Sequence, residues 1–226
     1  MHSATIRPEI VERVIRRRQK LHIFDLIEAD KTALIVIDMQ GTFCEIGGPA
    51  EVPLSRSICK NINRLSAALR NAGGKVIWCT HANTNTGLQS DWRIFFDFMV
   101  AGEIRDRTVS SLEPDAPGQR IWHEMHVENE DVKLFKNRYS AFISGSSQLE
   151  SVVRDLGIDT LLIAGTKTNI CCESTARDGM MLGFKCVMLS DCTAALSDDE
   201  HRSALENVIQ QFGDVYTASE VIDRLR

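Results

Sequence analysis

The feature that most constrains the fold is the alternation of short apolar runs with helical patterns along most of the chain. Six runs have the length and composition of buried strands: ALIVID at 33–38, KVIWCT at 75–80, VKLFK at 132–136, DTLLIAG at 159–165, KCVMLSD at 185–191 and DVYT near 214. Helical patterns occupy the intervals, at 58–69, 147–156, 171–182, 198–211 and 218–225. This alternation predicts an α/β fold with a parallel sheet covered by helices on both faces.

Composition favours one domain. The chain has 226 residues, 43% of them hydrophobic, and no stretch rich in Pro, Gly and Ser that would mark a linker. We therefore expect a single domain over residues 31–226. Residues 1–30 are expected to form an N-terminal arm, most simply a packing element between subunits.

Charge and hydropathy exclude two classes of partner. The formal net charge of -5 and the pI near 5.7 leave no general basic surface for nucleic acid, although Arg16, Arg17, Arg18 and Lys20 form a local basic run. No apolar stretch approaches the roughly 20 residues needed to cross a bilayer, and the N-terminus lacks the apolar centre of a secretory signal. A cytoplasmic location is expected.

Cysteine usage argues against disulfides and metal sites. The seven cysteines are an odd number and several lie inside apolar runs, which favours reduced thiols. No pair has the C-x-x-C spacing of zinc or redox sites. His123 and His126 could share a helix face beside Glu124, but further ligands are not evident. Neither a metal nor another cofactor is predicted.

The stretch LLIAGTKTNICCESTARDG, residues 161–179, leads a buried strand through a turn into a helix that begins near a cysteine pair. Thr168 and Asn169 are residue types that cap helices, and they stand just before Cys171 and Cys172. Because amides at a helix start favour anions, this position predicts a thiol with a depressed pKa that attacks carbonyls. The alternative is a cysteine that serves only as a small buried hydrophobe.

Three chemically useful residues lie at the carboxyl ends of predicted strands, where open parallel sheets bind ligands. Asp38 closes the first strand, Lys136 closes the third, and Cys171 follows the fourth. Each has an ordinary structural explanation by itself. Together they supply a base, a cation and a nucleophile, and nearby turn amides could hold an oxyanion.

ALIVIDMQGTFC, KNRYSAF and AGTKTNICCESTARDGMMLGFKCVMLSDCTAAL resemble, in order and spacing, the three signature regions of the isochorismatase-like cysteine hydrolases. That family includes nicotinamidases, N-carbamoylsarcosine amidohydrolase, biuret hydrolases and ureidoacrylate amidohydrolases. The resemblance covers residues 31–223. It implies a three-layer α/β/α sandwich with a mostly parallel six-stranded sheet and a triad of Asp38, Lys136 and Cys171. Cys172 stands where the family commonly has valine, which indicates a packing role.

The same resemblance implies a cis peptide bond between Thr166 and Lys167, and an oxyanion hole formed by the backbone N–H groups of Lys167 and Cys171. Lys167 departs from the small or apolar residues that are usual at this position. Its side chain is expected either to point to solvent or to bring a positive charge to an acidic substrate.

The family's metal-binding and ether-cleaving members fit less well. Nicotinamidases bind a metal through an Asp-x-His pair after the second strand, whereas this chain has His81-Ala82-Asn83 without the aspartate. True isochorismatases lack the cysteine, so Cys171 favours hydrolysis of a C–N bond. The KNRYSAF and TNICCESTARDG segments most resemble those of ureidoacrylate-type amidohydrolases.

The long interval 81–131 is predicted to cover the site, because long loops in compact domains commonly have functional roles. Its aromatic residues are interpreted either as packing on the core or another subunit, or as a pocket wall. Candidate substrate-binding residues are Gln40, Phe43, His81, Asn83, Trp92 and Tyr139. Gln40 could instead form hydrogen bonds with the backbone, and His81 could form them with a loop. His201 is expected to have a structural role.

The resulting hypothesis is a cofactor-independent cysteine amidohydrolase. It would cleave a C–N bond of a small linear amide or ureido compound and release ammonia through a Cys171 thioester. The alternatives are a thiol or redox sensor that uses Cys171 and Cys172, or a non-catalytic scaffold of the same fold. The family resemblance also implies a homo-oligomer, a tetramer or a dimer.

Overall fold

The computed structural model describes all 226 residues. Six strands form one sheet: β1 (Thr32–Ile37), β2 (Lys75–His81), β3 (Val132–Lys136), β4 (Thr160–Thr166), β5 (Lys185–Ala194) and β6 (Asp214–Tyr216). They follow the order β3-β2-β1-β4-β5-β6, and every pairing is parallel. The α/β class is confirmed, with a sheet that is wholly rather than mostly parallel.

Nine α-helices accompany the sheet: α1 (Pro8–Arg18), α2 (Gly41–Cys44), α3 (Ser55–Asn71), α4 (Arg93–Phe98), α5 (Gly102–Ser111), α6 (Leu149–Asp155), α7 (Glu173–Met181), α8 (Asp198–Asn207) and α9 (Ala218–Arg224). Wider π-helical turns precede α7, at Thr168–Cys172, and follow α8, at Val208–Phe212. The sequence pattern predicts α3 closely, since Ile58, Ile62, Leu65 and Leu69 are all buried on one helix face.

The central strands β1 and β4 are buried at every position, as expected for parallel strands with helices on both faces. Because successive side chains of a strand point to opposite faces, β1 contributes to two separate cores. Ile35 and Ile37 belong to the core that includes residues of α1, α6, α7 and α8. Leu34 and Val36 belong to the core that includes residues of α3 and α9. The molecule is therefore a three-layer α/β/α sandwich.

Residues 82–131 connect β2 to β3 and are called the cover segment below. α4 and α5 form a small apolar cluster of their own around Phe96, Val109 and Leu112. The segment is tied to α2 by hydrogen bonds, with Thr42 Oγ1 and Ser111 Oγ 2.7 Å apart. These ties bring the cover segment against the carboxyl ends of the central strands.

The N-terminal helix α1 packs on the same chain. Ile10 and Val14 are buried within the core formed with α6, α7 and α8. The Arg7 guanidinium binds the Glu206 carboxylate on α8, with Nη2 and Oε2 2.6 Å apart. α1 thus completes one helical layer, while an additional role for residues 1–30 between subunits stays a prediction.

No helix is long and apolar enough to cross a membrane.

Candidate active site

Asp38 and Lys136 meet at the carboxyl ends of β1 and β3. Asp38 follows β1 directly, in the left-handed region with φ of 53°, a conformation that aspartate tolerates better than most residues. Its Oδ2 accepts a hydrogen bond from Lys136 Nζ at 2.8 Å. Lys136 also donates to the backbone carbonyl of Arg138 at 3.0 Å. Both charged side chains are at most 1% exposed, so the ion pair is buried away from bulk solvent.

The cysteine turn begins where β4 ends, at the switch point of the strand order beside β1. Gly165 has φ of 112°, and a Cβ there would lie 1.9 Å from the Ile37 carbonyl oxygen. Only glycine therefore allows β4 to approach β1 so closely. One residue further on, the peptide bond between Thr166 and Lys167 is cis, at the position that the family resemblance implies.

The local structure around Cys171 differs from the predicted capped helix start. Residues Thr168–Cys172 form a π-helical turn, and no side chain caps either this turn or α7. The Thr168 hydroxyl instead lies 2.9 Å from Nδ1 of His201 on α8. The other predicted capping residue, Asn169, makes no hydrogen bond with its side-chain oxygen, so the predicted cap is absent. His201 has the structural role that was expected.

The prediction of a depressed cysteine pKa is wrong for the resting site. Burial and the negative charge of Asp38 raise the pKa of Cys171 to about 12, and the charge of Lys136 only partly opposes them. Cys171 is 6% exposed, so desolvation outweighs any favourable amides at the turn. The charges of Asp38 and Lys136 nonetheless both act on the thiol, which places the three side chains in one cluster.

The ion pair has its own electrostatic balance. Burial raises the pKa of Asp38 above its usual 3.8, and the neighbouring Lys136 charge offsets this effect only in part. Burial would lower the pKa of Lys136, but the charges of Asp38 and Cys171 raise it overall. The ammonium therefore stays protonated. Asp38 Oδ1 is buried and has no hydrogen-bond partner within the protein, so one carboxylate oxygen can take a further proton or hydrogen bond.

Gln40 holds the backbone of His81 from both sides. Gln40 Oε1 accepts from the His81 N–H at 2.7 Å, and Nε2 donates to the His81 carbonyl at 2.9 Å. Nε2 also donates to the Gly118 carbonyl of the cover segment at 3.1 Å. Its amide is thus fully occupied, so Gln40 acts on backbone, the alternative foreseen from the sequence, and does not face a substrate.

His81 is neutral and lacks a partner for one ring nitrogen. Burial, followed by the charges of Lys136 and Arg138, lowers the pKa of His81 well below 6.5. Its Nε2 is buried without a hydrogen-bond partner in the protein. The structure therefore leaves His81 available to a substrate, at the end of β2 and directly opposite Lys136 in the β2–β3 register.

Asn83 and Phe43 occupy supporting positions. The Asn83 N–H donates to the Leu112 carbonyl at 2.7 Å, and its Oδ1 accepts from the Asp91 N–H at 3.3 Å. Asn83 is 2% exposed, so it fastens the cover segment and does not present itself to a ligand. Phe43 lies in α2 and is half-buried.

Aromatic residues of the cover segment meet the KNRYSAF motif. The Trp92 ring packs edge-on against Tyr139 at 4.6 Å and stacks with Phe95 at 5.1 Å. Burial and the charge of Cys171 raise the pKa of the half-buried Tyr139, which places this aromatic group beside the thiol. Phe96 packs inside the cover and Phe98 is exposed, so Trp92 and Phe95 are the cover aromatics that reach Tyr139.

Three further residues of this region were not among the predicted site residues. Thr166 Oγ1 and Asn169 Oδ1 are buried atoms without hydrogen-bond partners in the protein, at the end of β4 and in the turn that follows. Arg138 lies with its guanidinium carbon 5.3 Å from the centre of the Trp92 ring. All three lie in the two motifs that contain Lys136 and Cys171, and that position was the only indication of a site role in the sequence. No group of three or more His, Cys, Asp or Glu side chains is arranged to hold a metal ion.

Comparison with known proteins decides the family. The model of the isochorismatase domain matches residues 32–220 of the chain. The chain belongs to the isochorismatase family. The resemblance to this family of hydrolases, which the sequence motifs indicated, is confirmed. The matched range runs from β1 into α9.

Two relatives of known name allow a functional comparison. The ureidoacrylate amidohydrolase RutB of Pantoea ananatis is 30% identical over 215 residues, which cover 85% of this chain and 81% of that protein. RutB of Enterobacter sp. is 30% identical over 204 residues, covering 85% and 88%. Cleavage of an amide is thus the reaction for which these relatives are named.

Among solved structures, a cysteine hydrolase from Pseudomonas syringae pv. phaseolicola has a TM-score of 0.77 and 30% identity, covering 88% of this chain and 93% of that one. N-carbamoylsarcosine amidase from Thermoplasma acidophilum has a TM-score of 0.67 and 22% identity, covering 83% and 96%. The second likeness supports the fold alone. Both agree with the isochorismatase-like α/β/α architecture.

Proposed function

We propose that the protein is a cysteine-dependent amidohydrolase that cleaves a C–N bond of a small linear amide or ureido compound. The observation that carries this proposal is the buried Asp38–Lys136 ion pair, whose two charges both act on the Cys171 thiol. A carboxylate, an ammonium and a thiol held together away from bulk solvent supply a base, a fixed positive charge and a nucleophile.

The first half of the reaction forms a thioester. Because the pKa of Cys171 is raised to about 12, its proton must leave as the sulfur attacks, and Asp38 is the base beside it. Sγ forms a bond to the substrate carbonyl carbon, and the backbone N–H groups of Lys167 and Cys171 hold the oxyanion. The C–N bond then breaks, and the proton on Asp38 passes to the leaving nitrogen, which departs as ammonia from a primary amide.

The second half returns the enzyme to its starting state. Water gives a proton to Asp38 and its oxygen attacks the thioester carbonyl. The C–S bond breaks, the acid product leaves, and Sγ regains the proton from Asp38. Lys136 stays protonated throughout because its pKa is raised, so it stabilises whichever partner carries the negative charge.

Buried polar atoms indicate the polarity of the substrate. Asn169 Oδ1 can only accept hydrogen bonds, and His81 Nε2 and Thr166 Oγ1 also lack partners in the protein. A buried polar atom left unpaired costs about 1–3 kcal/mol, so a substrate that pairs with these atoms gains affinity. An amide or ureido group offers the N–H donors that Asn169 requires.

The redox alternative is less well supported. Both Cys171 and Cys172 are buried, and burial is the first cause that raises the pKa of each thiol. A redox sensor needs an accessible thiolate, which neither residue provides. Cys172 packs within the core and points its sulfur toward the Ala164 carbonyl at 3.8 Å. A non-catalytic scaffold would not require a buried ion pair such as that of Asp38 and Lys136.

Ammonia release from a panel of amides tests the proposed function. The panel contains ureidoacrylate, biuret, a carbamoyl amino acid, maleamate and nicotinamide, and each compound is assayed with and without a chelator. We expect turnover of at least one linear amide or ureido compound and none of nicotinamide. Absence of release from every linear compound would contradict the proposal, and so would turnover that a chelator abolishes.

A further inference from the structure

The guanidinium of Arg138 lies at the wall of the site. Its carbon is 5.3 Å from the centre of the Trp92 ring, and Trp92 in turn contacts Tyr139. Nη1 donates to the backbone carbonyl of Asn137 at 2.7 Å and to its Oδ1 at 3.2 Å. The ring and these two hydrogen bonds hold the guanidinium in one orientation. Its other nitrogens have no hydrogen-bond partner in the protein.

Arg138 is half-buried, yet no carboxylate lies within ion-pair distance of it. The acidic residue of this neighbourhood is Asp91, which accepts from Asn137 Nδ2 at 3.2 Å. Both Asp91 oxygens are already occupied, by the Thr84 backbone and hydroxyl, Asn85 and Asn137. A partly desolvated arginine without a counter-charge is uncommon, because arginine is favoured where it can pair with a carboxylate or phosphate.

The other groups around the site do not neutralise this charge. Asp38 is paired with Lys136, and these two charges cancel each other. His81 is a neutral imidazole, and Tyr139 and Cys171 are protonated because their pKa values are raised. The charge of Arg138 also lowers the pKa of His81, after the larger effects of burial and of the Lys136 charge. No ion pair within the protein therefore neutralises the charge of Arg138 at this wall of the site.

We propose that Arg138 is a specificity-determining residue that binds a carboxylate of the substrate, so that the preferred substrates are amide or ureido acids. The inference rests on the proposed function and narrows it to anionic amides. Trp92 orients the guanidinium in advance, which leaves its free N–H groups to form charge-assisted hydrogen bonds with a carboxylate. Lys136 is committed to Asp38, so it is not the residue that reads this charge.

A substrate pair that differs only in charge tests the proposal. Ureidoacrylate and its methyl ester carry the same reacting group, and the ester lacks the negative charge. We expect Arg138→Gln to lower kcat/KM for ureidoacrylate by about tenfold to a hundredfold, mainly through KM, because hydrogen bonds to a charged group are lost. In Arg138→Gln, kcat/KM for the ester should change by less than about twofold. Arg138→Lys should lose less of kcat/KM for ureidoacrylate than Arg138→Gln does.

Arg93→Gln is the matched control, since Arg93 lies on α4 of the same cover segment but its side chain is 85% exposed. This substitution should leave kcat/KM for both substrates unchanged. An equal loss on acid and ester in Arg138→Gln would overturn the proposal, because it would show that Arg138 only supports the cover.

A binding measurement separates this inference from the proposed function. In the Cys171→Ala protein, calorimetry should show ureidoacrylate binding at least about tenfold more tightly than its ester, a difference that Arg138→Gln removes. Equal binding of acid and ester would overturn the role of Arg138 whether or not the wild-type protein turns over any amide. Tight, Arg138-dependent binding without turnover would leave this inference standing and contradict the proposed function.

Discussion

The proton on the Cys171 thiol has one buried acceptor beside it, the Asp38 carboxylate. With the pKa of the thiol raised to about 12, a preformed thiolate is scarce at neutral pH. Reactivity then depends on proton transfer inside the site as the substrate carbonyl arrives. Desolvation thus keeps the thiol unreactive toward solvent while Asp38 and Lys136 prepare it for a bound amide.

This residue-scale account predicts the shape of the pH profile. Asp38 must be ionised to act as base, and its pKa is raised above 3.8, so kcat/KM should fall as the pH drops through a value above 3.8. The pKa of His81 lies well below 6.5, so His81 should contribute no step near 6.5. Initial rates with the best substrate of the panel, measured across this range in buffers of constant ionic strength, provide the profile.

His81→Gln is the control for the same experiment. It removes the imidazole and should leave the positions of the pH steps unchanged, even if KM rises. A step near 6.5 in the wild-type profile that disappears in His81→Gln would contradict the assignment of Asp38 as the base.

At the scale of elements, α1 belongs to the core of the domain. Ile10 is 5% exposed on the face of α1 that meets the core, whereas Ile15 of the same helix is 43% exposed. Ile10→Ala should lower the free energy of unfolding by about 2–4 kcal/mol, because it removes buried methylenes and leaves a cavity. Ile15→Ala, the matched control, should change it by less than about 1 kcal/mol. Urea denaturation measures both.

Equal and small effects of the two substitutions would show that α1 is not part of the cooperative core. Such a result would favour the arm between subunits that the sequence alone suggested. Equal and large effects would point to burial of Ile15 in an assembly of several chains.

Elements were predictable from sequence where one pattern dominated and not where distant parts of the chain intervened. The runs at 33–38 and 159–165 correspond to β1 and β4, because their short apolar centres favour a strand buried on both faces. β5 continues to Ala194, past the predicted end at 191, because Thr193 and Ala194 pair with β4 beyond a register shift. The capped helix start predicted at 168–172 is instead a π-helical turn, in which the Thr168 hydroxyl contacts His201, 33 residues away.

At the scale of the whole molecule, folding brings together groups that are remote in sequence. Asp38 and Lys136 are 98 residues apart, and their meeting was predictable because each ends an apolar run in a parallel sheet. For Gln40 the sequence left substrate contact and backbone bonding open, since one of its partners, Gly118, lies 78 residues away in the cover segment. Arg138 was missed for the same reason, because its role depends on where the cover segment places Trp92.

Global stability should depend on pH through His201, which is buried between α8 and the cysteine turn. Burial, followed by the charge of His2, lowers the pKa of His201 to about 4 from an ordinary 6.5. Between these values the unfolded chain binds more protons than the folded one, so stability falls as the pH falls. The free energy of unfolding should therefore decrease from pH 6.5 toward pH 4.

Urea denaturation at several pH values between these limits measures this slope. His201→Gln should give a shallower slope, by up to about 1 kcal/mol per pH unit, since it removes the titrating group. His126→Gln, at an exposed position, controls for the loss of a histidine. Identical slopes for wild type and His201→Gln would show that other groups govern acid sensitivity.

The whole arrangement of strands, cover and ion pair converges on a single sulfur atom, that of Cys171. Ammonia release from the best amide of the panel, compared for wild type, Cys171→Ser and Cys172→Ser, tests this most directly. Cys171→Ser should lose activity by about a thousandfold or more, and Cys172→Ser should stay within about fivefold of wild type while both remain folded by circular dichroism. Wild-type turnover in Cys171→Ser, or a thousandfold loss confined to Cys172→Ser, would contradict the account.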